Sequence, residues 1–309
     1  MLLMDYRVPG RENPFRQVYD SKEYSNANVE CPEYPLLLDI ETTNKCNLKC
    51  VFCNRQLMTR SLGEMSVPLF KTIADKAANK VRGLRFSGWG EPFLNKGIYE
   101  MFAYAKEQGF LVHVTTNGLA KYFYPEKLEK VDSINFSMQG LNAPEYAKIR
   151  NNTRWNDLVN NIKKTVVCEV RPYVTLATTV TDEGKEEMDK FIAEWKDIVD
   201  RIQIGQTSFT EVRDILRERK ILSDKDIQRQ TCTGRKWKCN MPWIDLEIDW
   251  DGKANACCAD FNNLLYVGNL SQSSMEEIWN GEKIKIIRKM IDEHREHEQT
   301  LCSHCAHRY

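Results

Sequence analysis

The sequence lacks a surplus of either charge. Its 44 Lys and Arg match 44 Asp and Glu across 309 residues, for a formal net charge of zero. No basic field invites nucleic acid, and no acidic tail is present. Long apolar runs are also missing: nothing approaches the roughly 18 residues that span a bilayer. The first residues carry Asp5, Arg7, Pro9, Arg11 and Glu12, which excludes a signal peptide and makes the cytoplasm the expected location. There is no solenoid-length repeat and no low-complexity tract. Histidine is sparse, at 5 residues, whereas cysteine is abundant, at 11. In a chain with no secretion signal, that many thiols point to metal and away from disulfides.

Strand and helix signals alternate. Expected strands are 36–40, 84–87, 110–115, 133–137, 173–180 and 201–204. Expected helices are 68–79, 97–108, a stretch around 126–130, 155–167 and 183–195. Ser66 and Pro68 mark the start of the first helix, and Gly109 stops the second. Such alternation predicts a parallel sheet with right-handed crossovers. The expected fold is α/β, a partial (β/α)6 TIM barrel with its site where the strands end. A charged linker follows at 207–231. Residues 243–250 then alternate apolar and acidic residues, Asp251-Gly252 turns, and 253–257 returns, a hairpin signal. Ser274, with Glu277 as capping partner, opens a helix expected to run to His294. The expected divisions are an N-terminal extension (1–35), the barrel (36–206), the linker (207–231) and a small α+β domain (232–309).

Cys46, Cys50 and Cys53 form a C-x3-C-x2-C loop directly after the first strand. Three thiolates within eight residues converge only on a compact metal centre. A [4Fe–4S] cube held by three cysteines keeps one iron open to another ligand. A structural zinc knot would want a fourth ligand, and no histidine lies within fifty residues of Cys53.

This loop, with Phe52 before its last cysteine, resembles the signature of the radical S-adenosylmethionine (SAM) superfamily, and the resemblance extends over about 36–206. It implies that the open iron chelates SAM, whose reductive cleavage yields a 5′-deoxyadenosyl radical that abstracts hydrogen. It implies that Phe52 contacts the adenine. Ser87-Gly88-Trp89-Gly90-Glu91-Pro92 resembles the family's Gly-Gly-Glu-Pro segment, so Gly88, Gly90 and Glu91 are expected around the SAM amino group. Trp89 interrupts the glycine pair and is the aromatic expected in a substrate pocket. Trp237, Trp243, Phe93 and Tyr173 are weighed for the same role against a core one. Ser137-Met138-Gln139-Gly140 resembles Ser-x-Asp-Gly, with Ser137 for the ribose and Gln139 in place of the acid. Arg150 is assigned to the SAM carboxylate, with Arg154 as the alternative. Asn117 ends the third strand and is expected to face the site.

Cys239, Gly252 and Cys257, then Cys302-x2-Cys305, resemble the SPASM domain and its shortened twitch relative. The resemblance implies a second iron–sulfur cluster, [4Fe–4S], closed by Cys239, Cys257, Cys302 and Cys305. A four-cysteine zinc site fits the same residues. Cys232 or Cys258 is an alternative ligand or a hydrogen donor, as is Cys168 for the latter role.

The resemblance implies an oxidoreductase that dehydrogenates a sugar, aminocyclitol or related polyol, with the second cluster taking up an electron. It also implies an external donor such as flavodoxin or ferredoxin. Epimerisation with a cysteine hydrogen donor, peptide or sulfatase maturation, and a non-catalytic metal-binding role are the alternatives. No nucleic-acid or membrane partner is expected.

Overall fold

The computed structural model describes residues 2–27, 30–180, 183–206, 239–303 and 305. The expected linker, Cys232, Trp237, His304 and His307 lie outside them.

Six parallel strands make the wall of a partial barrel: β2 (Leu37–Ile40), β3 (Gly83–Phe86), β4 (Leu111–Thr116), β5 (Ser133–Ser137), β6 (Tyr173–Val180) and β7 (Arg201–Gln206). The expected (β/α)6 architecture is the one observed. β1 (Leu2–Arg7) was not foreseen and pairs antiparallel with β7. On the other edge, β8 (Asp245–Ile248) runs parallel to β2, and β9 (Lys253–Asn255) and β10 (Tyr266–Asn269) follow antiparallel. The C-terminal hairpin thus continues the barrel sheet, in the order β1-β7-β6-β5-β4-β3-β2-β8-β9-β10.

Side chains alternate across each strand. Outward residues such as Leu38, Ile40, Leu84, Phe86, Val112, Val114, Ile134, Phe136, Leu246 and Ile248 are fully buried in the main core. α3 (Val67–Ala77) and α4 (Ile98–Glu107) supply Phe70, Ile73, Met101 and Phe102 to it. Ser66 caps α3 by accepting from the Leu69 amide, and Pro68 sits in its first turn.

The stretch around 126–130 shrinks to a single 3₁₀ turn, Pro125–Lys127. α5 (Ala143–Arg150) was missed, although Asn142 caps it and Pro144 lies in its first turn. α6 (Trp155–Val166) and α7 (Lys185–Trp195) follow as expected. The single helix expected from Ser274 is two: α8 (Met275–Trp279) and α9 (Glu282–Asp292). Gly281 breaks it, because a Cβ there would lie 2.5 Å from the Glu277 carbonyl oxygen.

The N-terminal segment, with α1 (Arg16–Tyr19) and α2 (Lys22–Asn26), closes the barrel bottom. Phe15 packs against Gly83 and Leu37 at the strand starts, 5.4 Å from the His113 ring. Arg7, Arg11 and Arg16 pair with Asp5, Asp200 and Asp20, which makes them surface charges.

Candidate functional site

Cys46, Cys50 and Cys53 sit in the loop leaving β2, and their thiols feel one another. Burial, with the Cys50 and Cys53 thiolates, pushes the Cys46 thiol up to about 11, and burial also raises Cys53. Distant elements already aim donors at this loop. Arg150, 6% exposed, donates Nη1 to Cys50 Sγ at 3.2 Å and lies 5.8 Å from the Phe52 ring centroid. Asn117 Nδ2 faces Cys46 Sγ at 3.9 Å and donates to Asn47 Oδ1 at 2.9 Å. Buried, mutually repelling thiols with cationic and amide donors suit an anionic metal–thiolate cluster. Cys46, Cys50 and Cys53 would hold it, with the protein's other groups arranged around the open side.

Gly90 shows why a glycine stands there. A Cβ on it would lie 1.9 Å from the Thr43 carbonyl oxygen, so the turn after β3 lies flat on the cluster loop. The Glu91 amide donates to the Lys45 carbonyl at 2.9 Å. Glu91 itself is buried, and its carboxylate accepts from Thr116 Oγ1 at 2.7 Å, the Asn117 amide at 2.7 Å and the Phe93 amide at 3.1 Å. These bonds tie the β3 turn to the end of β4. Gly88, with φ of +115°, remains open to the barrel interior.

Ser137 shares the inner face of β5 with Asn135, and its carbonyl accepts from Arg150 Nη2. Gln139 (φ +49°) and Gly140 (φ +81°) form a left-handed turn, and Gln139 Oε1 is buried with no partner among the described residues. Of the two arginines, Arg150 reaches the cluster loop, whereas Arg154 forms an exposed pair with Asp157.

Inside the wall lies a cavity of about 490 Å³, running from Phe15 and Tyr19 at the bottom to Gly88, Trp89 and Cys258 at the top. Its lining is polar. Arg85 holds both Asp39 oxygens at 2.5 Å and Asp245 Oδ2 at 2.6 Å. Arg60 holds Glu41 through both oxygens, at 2.7 and 2.5 Å, and lies 3.2 Å from Asp249 Oδ1. Burial holds the Asp245, Glu247 and Asp249 carboxyls above the usual carboxylate range. Burial and the nearby Arg85 push His113 down to about 3, so it is neutral. Trp89 lines this cavity as expected and meets Phe261 edge-on at 5.5 Å. Trp243, Phe93 and Tyr173 are buried core residues.

The carboxylates and Arg85 were missed as site residues. Their signal was the alternation of acidic and apolar residues in 243–250, which ordinarily reads as a water-facing strand face. Here the outer face is covered and Glu247, from the acidic face, lines the cavity.

The far cysteines come from separate places. Cys239 precedes β8, Cys257 follows β9, and Cys302 lies in a terminal helical turn, Thr300–Ser303, three residues before Cys305. Burial, helped by the Cys305 and Cys258 thiolates, pushes Cys239 up to about 11. Buried Leu301 and the Gln299–Leu264 hydrogen bond of 3.1 Å dock the terminal turn. Arg288 on α9 donates to the Pro242 and Trp279 carbonyls at 2.9 and 3.0 Å, clamping the helix to the Cys239 segment. This all-thiol set fits a closed cluster. Cys258 stands near both Cys239 and the cavity top. No helix among the described residues is long and apolar enough to cross a membrane.

Known proteins bear on these two centres. The family model of the radical SAM superfamily matches residues 40–194, and that of the SPASM iron–sulfur cluster-binding domain matches 239–306. A probable GTP 3′,8-cyclase of Methanocaldococcus jannaschii is 32% identical over 143 residues, 44% of this chain and 47% of that protein. The chain spans about half the length of the curated cyclases it matches. A tungsten-containing aldehyde ferredoxin oxidoreductase cofactor-modifying protein of Pyrococcus furiosus is 23% identical over 314 residues, 86% of each chain. Among solved structures, BtrN in complex with AdoMet and 2-DOIA superposes with a TM-score of 0.56 at 17% identity, covering 89% of this chain and 94% of that one. SuiB of Streptococcus suis bound to S-adenosylmethionine gives 0.62 at 17% identity, covering 96% and 78%. At such identity the superpositions establish the fold. The domain matches establish a SAM-binding [4Fe–4S] cluster and auxiliary iron–sulfur ligation, so the chain belongs to the radical SAM superfamily and carries a C-terminal SPASM domain.

Proposed function

We propose that this protein is a radical SAM oxidoreductase that dehydrogenates a small polyhydroxylated molecule held in the barrel cavity. The carrying observation is the cavity itself: about 490 Å³, walled by the barrel strands, with Asp39, Arg85, Asn135, Thr175, Gln203 and Glu247 in its lining. That volume suits a sugar-sized ligand, and the lining offers hydrogen bonds to hydroxyls where a peptide side chain would want apolar walls. Bound at the cradle, SAM and its cluster supply the radical that removes a hydrogen atom, and a second cluster supplies an acceptor for one electron.

The chain's own residues do the rest. Phe52, Gly88, Gly90, Glu91, Asn117, Ser137, Gln139 and Arg150 are assigned to SAM, with Gly90, Glu91 and Asn117 also shaping its loop. Cys239, Cys257, Cys302 and Cys305 are assigned to the auxiliary cluster. The net change is loss of one hydrogen atom, one proton and one electron from a carbinol, leaving a ketone. Flavodoxin or ferredoxin is the proposed donor, and the need to keep ligand thiols reduced favours a cytoplasmic setting.

Epimerisation is the second reading, favoured by Cys258 at the top of the cavity, where a thiol can return hydrogen to a carbon radical. The test is anaerobic turnover of the cluster-loaded enzyme with SAM, dithionite and polyols deuterated at carbon. Dehydrogenation predicts deuterium in 5′-deoxyadenosine and a ketone in equal amount. An isomer carrying solvent hydrogen would establish epimerisation instead, and SAM cleavage with no deuterium transfer would reject both.

A further inference from the structure

One cation ties separate stretches of chain together at the top of the barrel. Arg60 lies in the stretch after Cys53, with its side chain 11% exposed. Nη1 and Nη2 hold both oxygens of Glu41, which is fully buried at the end of β2, just before the cradle loop. Nε donates to the Phe261 carbonyl at 2.9 Å, in the loop that carries Cys257 and Cys258. The same guanidinium lies 3.2 Å from Asp249 Oδ1, at the end of β8. Glu41 passes this hold to the turn after β3. Its Oε2 accepts from the Trp89 amide at 3.3 Å, and its Cβ lies 2.9 Å from where a Gly88 Cβ would stand. Trp89 in turn meets Phe261 edge-on at 5.5 Å, which closes a ring of contacts through Arg60, Glu41, Trp89 and Phe261. A second strap runs beside the ring. Asn262 Oδ1 accepts from the Thr59 amide at 2.8 Å and from Thr59 Oγ1 at 3.2 Å, and its Nδ2 donates to the Leu57 carbonyl at 3.3 Å. Trp250 Nε1 donates to the Ser61 carbonyl at 3.3 Å, with the indole over Gly63, where a Cβ would strike it.

We propose that Arg60 is a positioning residue for SAM, acting through Glu41 and Phe261: it fixes the turn from Gly88 to Glu91 and makes the 256–265 loop of the C-terminal domain part of the SAM site. This rests on the assignment of Gly88, Gly90 and Glu91 to SAM. Arg60 does not line the cavity, so it works through what it holds. A buried ion pair adds little net stability, because desolvation offsets its attraction. Its value here is geometric, since a guanidinium held through both oxygens of a carboxylate fixes distance and orientation together. Without Arg60, Glu41 is left as an uncompensated buried charge or takes up a proton, and either way its hold on the Trp89 amide weakens.

The test follows 5′-deoxyadenosine formation by the cluster-loaded enzyme under dithionite, with no polyol present, and reads KM for SAM and kcat separately. Arg60→Met is expected to raise KM about tenfold, with kcat within about twofold and iron content at the wild-type level. Arg60→Lys keeps the charge but not the fork and should raise KM about threefold. Asn262→Ala, a change wholly within the C-terminal domain, should also raise KM about threefold. Arg60→Met combined with Glu41→Gln should recover part of the loss seen in Arg60→Met alone, because no buried charge is then left unpaired. A merely structural brace would instead lower iron content or kcat and would show no such recovery. If Arg60→Met does not fold, Arg60→Lys and Asn262→Ala decide. An unchanged KM, a rise that comes with lost iron, or no recovery in the double variant overturns the inference. Failure to oxidise any polyol removes the proposed dehydrogenation and leaves this inference standing. An unchanged KM does the reverse.

Discussion

The two thiol sites are built in opposite ways. Cys46, Cys50 and Cys53 lie in one loop, and that loop is stitched locally, as by the Cys53 amide donating to the Cys50 carbonyl at 3.3 Å. Its tuning comes from afar, through Arg150 on α5 and Asn117 after β4. Cys239, Cys257, Cys302 and Cys305 reverse this. Their positions depend on the β8–β9 hairpin, the Arg288 clamp and the docked terminal turn. A ligand set written within a few residues survives much tertiary change. A set gathered from three segments forms only once the domain has folded. On the proposed ligand assignment, the first set would leave an iron open and the second, with four thiols, would close.

The contrast can be broken at each end. Cys50→Ala is expected to abolish 5′-deoxyadenosine formation, a loss of at least about a thousandfold, and to remove about four irons. Cys257→Ala should also lose about four irons, but its main effect should be a fall in product per 5′-deoxyadenosine by roughly a hundredfold. Equal behaviour of the two variants would erase the distinction between an open and a closed site.

Smaller effects sharpen it. Arg150→Met removes the donor to Cys50 and is expected to lower kcat/KM for SAM cleavage by roughly tenfold to a hundredfold. Arg154→Met, which breaks an exposed pair with Asp157 and a long hydrogen bond to the Leu119 carbonyl, should stay within about twofold. A reversed order would move the SAM carboxylate to Arg154.

The smallest effect concerns the barrel interior between the sites. His113 is neutral in the fold, with its pKa pushed to about 3 from an ordinary 6.5. Below about pH 6.5 the unfolded chain takes up a proton that the folded one refuses, so stability is lost as pH falls towards 3. His113→Gln should flatten that slope and recover about 1 kcal/mol at pH 5.5, measured by anaerobic denaturant melts of wild type and variant.

Much of the barrel was legible because its strands read as β-branched runs with turn residues at their ends. Ser133–Ser137 and Tyr173–Val180 fall where the alternation puts them. The cradle was legible because its chemistry is local. Glu91 was placed in the right loop, but no spacing reveals that Thr116 and the Asn117 amide donate to its carboxylate. Glu247 was seen only as part of an amphipathic strand. Its meaning depends on which face the barrel turns inward, and that is set by β8 joining β2, a pairing across about two hundred residues that no local pattern encodes. β1 was missed because six residues at an edge carry little signal until β7 offers a partner.

On this reading one chain holds an open cluster and a closed one. Electron paramagnetic resonance of the dithionite-reduced, iron-replete protein, recorded before and after SAM is added, tests it most directly. Two reduced-cluster signals are expected, of which SAM shifts one, and that one disappears in Cys50→Ala while the other disappears in Cys257→Ala. A single signal, or a SAM-induced shift that survives in Cys50→Ala, would contradict it.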